Sequence, residues 1–191
     1  MKTLRQLGVV WSALLLAAAV GGCGSNGTAI DSDAGGGDGG LTPTTCPGPG
    51  CISLAGVLTC SSGFACMIPS TGSVDCGAGS TCSGTCEGSC DVDCTMGATC
   101  DITTGESSSS SCDMSTCTIS TGVSASYTCT NGSTCDVTMG ASSSATCDGD
   151  SECDFVCTSS CGIECRDTSV CTVQCAGDTM ARTFTGATTC E

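Results

Sequence analysis

The sequence predicts an all-β fold: a disulfide-stapled parallel β-solenoid of about six 18-residue coils, preceded by a signal peptide and a flexible linker. Three observations predict it. Residues 76–182 fall into rows that begin at Cys76, Cys94, Cys112, Cys129, Cys147 and Cys165, five of 18 residues and the third of 17. A fixed period of this size marks stacked coils. Each row also carries a second cysteine six residues on, at Cys82, Cys100, Cys135, Cys153 and Cys171, or five on at Cys117 in the short row. The third observation is parity. From Cys76 to Cys112 every cysteine number is even, as are Val92, Met96, Ile102 and Met114; from Cys117 to Cys175 every cysteine number is odd, as are Ile119, Val123, Tyr127, Val137, Met139, Phe155, Ile163 and Val173. A side-chain period of two belongs to strands. The switch falls in the 17-residue row, where one missing residue moves the facing set by one.

Residues 1–22 read as an export signal. Lys2 and Arg5 form its positive start, and the apolar run from Leu7 to Val20 is short for a membrane span. The run ends in Val20-Gly21-Gly22-Cys23. This resembles the lipobox of bacterial lipoproteins, in which an aliphatic residue and two small ones precede a cysteine. The resemblance implies that Cys23 becomes the N-terminus and carries diacylglyceryl plus an amide-linked, palmitate-type acyl chain. The membrane is then a partner through the lipid anchor, since several chains hold a protein where one does not. Gly24 follows, rather than the Asp that retains some lipoproteins at the inner membrane, so the expected location is the outer membrane or cell surface. Ordinary cleavage near Ala17-Ala18-Ala19, giving a soluble secreted protein, is the alternative.

Residues 23–45 are Gly- and Asp-rich with almost no apolar bulk, the composition of a flexible tether. Residues 46–75 hold Cys46, Cys51, Cys60 and Cys66 at irregular spacing and read as a disulfide-tied N-terminal cap. In residues 76–182, rows stacked at ~4.8 Å would place Gly84, Ile102, Ile119, Val137, Phe155 and Val173 in one inward ladder between two ladders of cysteine. Val156, Val170 and Met180 break the parity and are expected outside or at corners. Antiparallel hairpins are the competing arrangement, and a low-complexity Ser/Gly/Cys tract would not require parity. Residues 183–191, with Phe184 and Cys190, are expected to close the far end.

The chain has 23 cysteines in 191 residues and no histidine. That level of cysteine marks a disulfide scaffold in an oxidising compartment. C-x-C and C-x-x-C spacings are both absent, which removes the usual metal-store, redox and zinc-ribbon signatures. The candidate structural cysteines are Cys76, Cys82, Cys94, Cys100, Cys112, Cys117, Cys129, Cys135, Cys147, Cys153, Cys165 and Cys171, with connectivity left open. Each C-x5-C loop, if closed, contributes about 2 kcal/mol by loop entropy. No cofactor is expected.

After Cys23 the positive side chains are Arg166 and Arg182, against 19 acidic residues, so nucleic acid is not an expected partner. Asp148, Asp150, Glu152 and Asp154 alternate like half of a calcium loop, but the glycine and closing glutamate are not in place. They are read as a solvated acidic face, with divalent-cation binding as the weaker alternative.

One outward face is the candidate ligand surface. Thr99, Asp101 and Thr103, then Thr134, Asp136 and Thr138, alternate with the inward positions, and Thr81-Ser83-Thr85 and Thr116-Thr118-Ser120 continue the array. The stretch Thr128-Cys129-Thr130-Asn131-Gly132-Ser133-Thr134-Cys135 is similar to the repeating unit of insect antifreeze proteins, disulfide-stapled solenoids that bind ice through rows of threonine. Their coil has 12 residues, and Asp in the middle column interrupts a flat threonine array. Exposed strand positions also favour threonine for its own sake. Hexapeptide-repeat acyltransferases depend on a catalytic histidine, which this chain lacks. Polysaccharide-cleaving β-helices pair acidic with basic residues, which are scarce here. The expectation is therefore a non-enzymatic lipoprotein with a structural or adhesive role, meeting a cell-surface glycan or protein. Specific binding of ice, glycan or calcium is the alternative. Replacing Cys23→Ser is expected to release the protein from the membrane fraction or block its processing. Membrane fractionation and intact-mass analysis check this, and an unmodified N-terminus elsewhere would rule lipidation out.

Overall fold

A strand with a cysteine or aliphatic residue at every second place can bury only one face, so two such strands must face each other. The computed structural model describes residues 50–191, apart from 55–56 and 69–71, and shows that pairing. The signal segment, Cys23, the tether and Cys46 lie outside the described residues. The chain runs β1 (Cys51–Leu54), β2 (Val57–Cys60), β3 (Ala65–Met67), β4 (Gly72–Cys76), β5 (Thr81–Cys86) and β6 (Cys90–Thr95). It continues through β7 (Thr99–Thr104), β8 (Ser109–Asp113), β9 (Thr116–Thr121), β10 (Ser126–Thr130), β11 (Thr134–Met139) and β12 (Ser143–Cys147). It ends with β13 (Glu152–Cys157), β14 (Cys161–Cys165), β15 (Val170–Gln174), β16 (Arg182–Phe184) and β17 (Gly186–Cys190).

The strands form two sheets. The first has the order β1-β2-β4-β6-β8-β10-β12-β14-β17, the second β16-β15-β13-β11-β9-β7-β5-β3. Each coil gives one strand to each sheet, and the repeat is a two-sided parallel β-solenoid. Pairing is parallel from β2 to β14 and from β3 to β15. It turns antiparallel only at the ends, where β1 lies on β2, β17 on β14 and β16 on β15. The parallel register also reaches back before Cys76. Cys60 pairs with Cys76 and Cys66 with Cys82, so β2 and β3 continue the stack within the stretch read as a cap.

Each row folds as two strands and two corners. The first corner joins the two sheets after each row's opening cysteine. Met96-Gly97, Asn131-Gly132 and Gly149-Asp150 occupy its centre, all with φ between 50° and 80°. Left-handed backbone at two successive residues is the type I′ turn, which Asn and Gly favour. In the short row a single left-handed residue, Met114, makes the bend. The deletion is thus absorbed in a corner, and the strands on either side stay in register. The second corner joins each coil to the next. There Gly105, Gly122 and Gly140 stack so closely that a Cβ on Gly122 would come within 2.6 Å of the Gly105 backbone.

Two apolar ladders fill the space between the sheets. Ile102, Ile119, Val137, Phe155 and Val173 pair in succession along the second sheet, with Gly84 before them. Val74, Val92, Ser110, Tyr127, Ala145 and Ile163 do so along the first. The large Tyr127 ring is flanked by the small Ser110 and Ala145, the size alternation a narrow interior needs. Three parity assignments fail. Met96, Met114 and Val123 are exposed, because each falls in a corner, where the chain turns and the inward direction is lost. Val156, Val170 and Met180 are exposed, as their broken parity requires.

Substitutions on the two faces should separate sharply. Ile102→Asp places an unpaired charge at a site 1% exposed and is expected to unfold the domain or prevent its export. Ser109→Lys, on the outward side of β8, should change stability by no more than about 0.5 kcal/mol. Circular dichroism and protease resistance of the two variants test the assignment of faces; equal tolerance would refute it.

Candidate functional site

The outward side of the second sheet is built by strands β5 to β15. Its residues alternate with buried ones, so three columns of side chains project together. The first column runs Thr81, Thr99, Thr116, Thr134, Glu152 and Val170. The middle column runs Ser83, Asp101, Thr118, Asp136, Asp154 and Thr172, and the third Thr85, Thr103, Ser120, Thr138, Val156 and Gln174. Neighbouring rows stand ~4.8 Å apart and neighbouring columns about 6.7 Å apart, the spacings of a parallel sheet. Thr99, Asp101 and Thr103 on β7 and Thr134, Asp136 and Thr138 on β11 therefore share one face, separated by β9. Within this array the Thr172 hydroxyl donates to the Asp154 carboxylate. The N-terminal rows carry hydroxyls, and the carboxylates gather toward β13.

The twelve candidate cysteines pair across the first corner, within their own coil: Cys76–Cys82, Cys94–Cys100, Cys112–Cys117, Cys129–Cys135, Cys147–Cys153 and Cys165–Cys171. Each bond ties a first-sheet strand to a second-sheet strand. Successive bonds also touch: the sulfurs of Cys76, Cys82 and Cys100 lie within 4.8 Å of one another, as do those of Cys94, Cys100 and Cys117. Among the described residues, the groups of three metal-ligating side chains this close together are all cysteine. Outside the Cys51, Cys60 and Cys66 group, their sulfurs are committed to disulfides. Near the N-terminal end Cys66 lies at bonding distance from both Cys51 and Cys60. It can bond only one, and Cys60–Cys66 continues the register of the six bonds that follow and the six-residue spacing of five of them.

Buried serines hold the corners that launch the face, and they were not singled out from the sequence. The Ser133 hydroxyl accepts the Ser115 N–H at 3.1 Å and donates to the Thr130 carbonyl at 2.6 Å. Ser151 accepts from Ser133 at 3.3 Å, and Ser169 from Ser151 at 3.2 Å. Ser108 and Ser143 do the same at the second corner, accepting from the N–H groups of Cys90 and Ala125. A signal for the first ladder was present: Ser80, Ser115, Ser133, Ser151 and Ser169 each stand two residues before the second cysteine of their row. Ala98 is the exception.

The four acidic candidates do not share one face. Asp148 and Asp150 sit in the first corner, where the Asp148 carboxylate accepts the Gly149 N–H at 2.7 Å and Asp150 accepts from the Thr168 hydroxyl. Glu152 and Asp154 project from β13. The turn after Cys147 diverts the chain between the two pairs, which is why simple alternation fails there. Asp167 stacks on this corner in the next coil. A hydrogen bond with Asp148, then repulsion from Asp148 and Asp150, raises its carboxyl above the usual range.

No protein-family model matches the chain, and no curated protein or solved structure matches it significantly. The buried serines supply a direct test of what aligns the rows. Ser133→Ala leaves the buried N–H of Ser115 without its acceptor and is expected to lower stability by about 1–3 kcal/mol. Urea unfolding without reductant measures this, and an unchanged midpoint would mean that the disulfides alone hold the register.

Proposed function

We propose that this chain is a non-catalytic, exported lipoprotein that presents a rigid solenoid at the cell surface, in a structural or adhesive role. The observation that carries the reading is the in-register array of Thr, Ser and Asp side chains on the second sheet. Such a surface offers many weak hydrogen-bonding groups at fixed spacing and no deep pocket to enclose a small substrate. It suits an extended partner that repeats its own polar groups, above all a cell-surface glycan or a protein. Acidic character throughout argues against an anionic polymer. Cysteine usage supports an oxidising compartment, and the Cys23 motif supports a membrane anchor.

Specific binding by the same face is the second reading, with ice, a glycan or calcium as ligand. The threonine columns favour ice, whereas the middle-column carboxylates favour a cation or glycan. Thr118→Lys, at the centre of the face, separates these readings. Adhesion of protein-coated beads to cell surfaces or glycan arrays is expected to fall at least tenfold, while Ser109→Lys on the opposite sheet leaves it unchanged. Ice-recrystallisation inhibition lost in Thr118→Lys would establish the ice reading, and binding that appears only on calcium titration the cation reading. A purely structural role predicts that Thr118→Lys alters none of these.

A further inference from the structure

The second corner repeats one geometry in successive coils. The buried residues that enter it are Cys86, Thr104, Thr121, Met139 and Cys157, and those that leave it are Cys90, Ser108, Ala125, Ser143 and Cys161. Three residues stand between entry and exit in each coil. Register ties the ends of the series to its middle. Cys86 pairs with Thr104, Thr104 with Thr121 and Met139 with Cys157. On the exit side the Cys90 N–H donates to Ser108, the Ala125 N–H donates to Ser143, and Ser143 pairs with Cys161. Two coils thus carry cysteine on both sides of the same bend. Cys86 and Cys90 are bonded. The sulfurs of Cys157 and Cys161 are not joined in the structure, yet the pair is placed alike. The Cys90 sulfur lies 3.2 Å from the Gly88 carbonyl, and the Cys161 sulfur 3.6 Å from the carbonyl of Ser159, the equivalent residue.

We propose that Cys157 and Cys161 form a disulfide in the mature protein, a staple across this corner that matches Cys86–Cys90. The bond requires the oxidising location proposed above, but not any ligand of the outward face. It ties β13 to the first sheet at both ends, through Cys147–Cys153 and Cys157–Cys161. β5 is held in the same way, through Cys76–Cys82 and Cys86–Cys90. The strands between them, β7, β9 and β11, are tied at one end only, because Thr104, Thr121 and Met139 occupy the entry side of their corners. Two doubly tied strands therefore clamp the rows that present Thr99 through Thr138.

Closure needs a disulfide donor, either a small-molecule disulfide such as oxidised glutathione or the disulfide of a thiol oxidase. The Cys161 thiolate attacks one donor sulfur; a mixed disulfide forms, the donor bond breaks, and the other donor half leaves and takes up the proton lost by Cys161. Cys157, deprotonated in turn, attacks the Cys161 sulfur; the Cys157–Cys161 bond forms and the second donor half leaves and is protonated. Two electrons and two protons pass to the donor, which ends as two thiols. The packed corner would oppose this chemistry. Burial, and then the hydrogen bond and charge of Cys161, push the Cys157 thiol up to about 12, and the thiolate is the reacting form. The bond is therefore made during folding, while the corner is still open to solvent.

The test refolds the full chain in a glutathione redox buffer, blocks free thiols with iodoacetamide in denaturant without reductant, and maps the peptides by mass spectrometry. The exported protein is mapped in the same way. Cys157 and Cys161 are expected to be unlabelled and joined to each other, their peptide lighter than the dithiol by two hydrogens. The proposal is overturned if both are labelled in the refolded chain, or if either is joined to another cysteine. A bond closed in the refolded chain and open in the exported protein would support the pairing and overturn the oxidising location. The paired replacement Cys157→Thr with Cys161→Ser copies the Thr104 and Ser108 of an inner coil and is expected to fold. Cleavage within β13 by a non-specific protease should be at least tenfold faster in this variant than in wild type, and an unchanged rate would overturn the clamp. Should the variant fail to fold, the wild-type map still decides the bond.

Discussion

The disulfide across the first corner is the constraint on which the rest of this molecule depends. Each coil buries about two apolar side chains between its sheets, far too few to offset the ordering of 18 residues by hydrophobic burial alone. A cross-link closing a six-residue loop contributes about 2 kcal/mol through the unfolded chain. It also does what a larger core would do, holding the two sheets face to face. The bonded cysteines are buried, and along part of the stack the sulfurs of successive bonds lie within 4.8 Å, so the sulfur atoms themselves form part of the packed interior. The rod is thus stabilised in units of one coil, each coil covering the next.

Repetition imposes a second condition. Every position in a coil sits above its equivalent, so whatever occupies a corner must tolerate a copy of itself one strand spacing away. The Gly105-Gly122-Gly140 column meets this by removing the side chain, since a Cβ there would strike the backbone of the coil before. The serine column meets it by using the copy: the hydroxyls of Ser133, Ser151 and Ser169 each accept the amide of the serine below. The buried backbone N–H groups at the bends, out of reach of the ladders, are satisfied in this way. Tyr127 shows what happens when a polar group enters without such a copy. Its buried hydroxyl has no hydrogen-bond partner, and desolvation raises its pKa.

Much of this was legible in the sequence, for a physical reason. Parity carries across corners as well as strands, because each standard corner spans an even step between buried positions, such as Cys94, Ala98 and Cys100. The deletion at Met114 moved the numbering but not the faces, and the alternation of Ile102, Ile119, Val137, Phe155 and Val173 could be read through it. What could not be read are the places where the chain stops alternating. Met96, Met114 and Val123 carry the right parity but sit on bends. Asp148 and Asp150 were placed beside Glu152 and Asp154, although a left-handed turn separates them. Pairing of the cysteines was open because spacing alone does not say which sulfurs face each other across a corner. The early start of the stack at Val57 was hidden by the uneven length of its first coil, which returns after 16 residues, from Val57 to Ser73.

The same constraint decides where recognition can occur. Inward positions are consumed by sulfur and aliphatic groups, and the corners by glycine, serine and left-handed turns. Only the outward columns are free to vary without unfolding the chain. On the second sheet those columns are held by backbone ladders and one disulfide per coil, so their hydroxyls and carboxylates keep fixed spacing before any partner arrives. Ordering costs that a flexible surface would meet on binding are met here during folding and oxidation. A single Thr or Asp on such a face contributes little, but a partner with matching periodicity engages several rows at once, and the gain multiplies as in any multivalent contact. On the adhesive reading proposed above, the number of rows, set by the number of stapled coils, would then govern affinity.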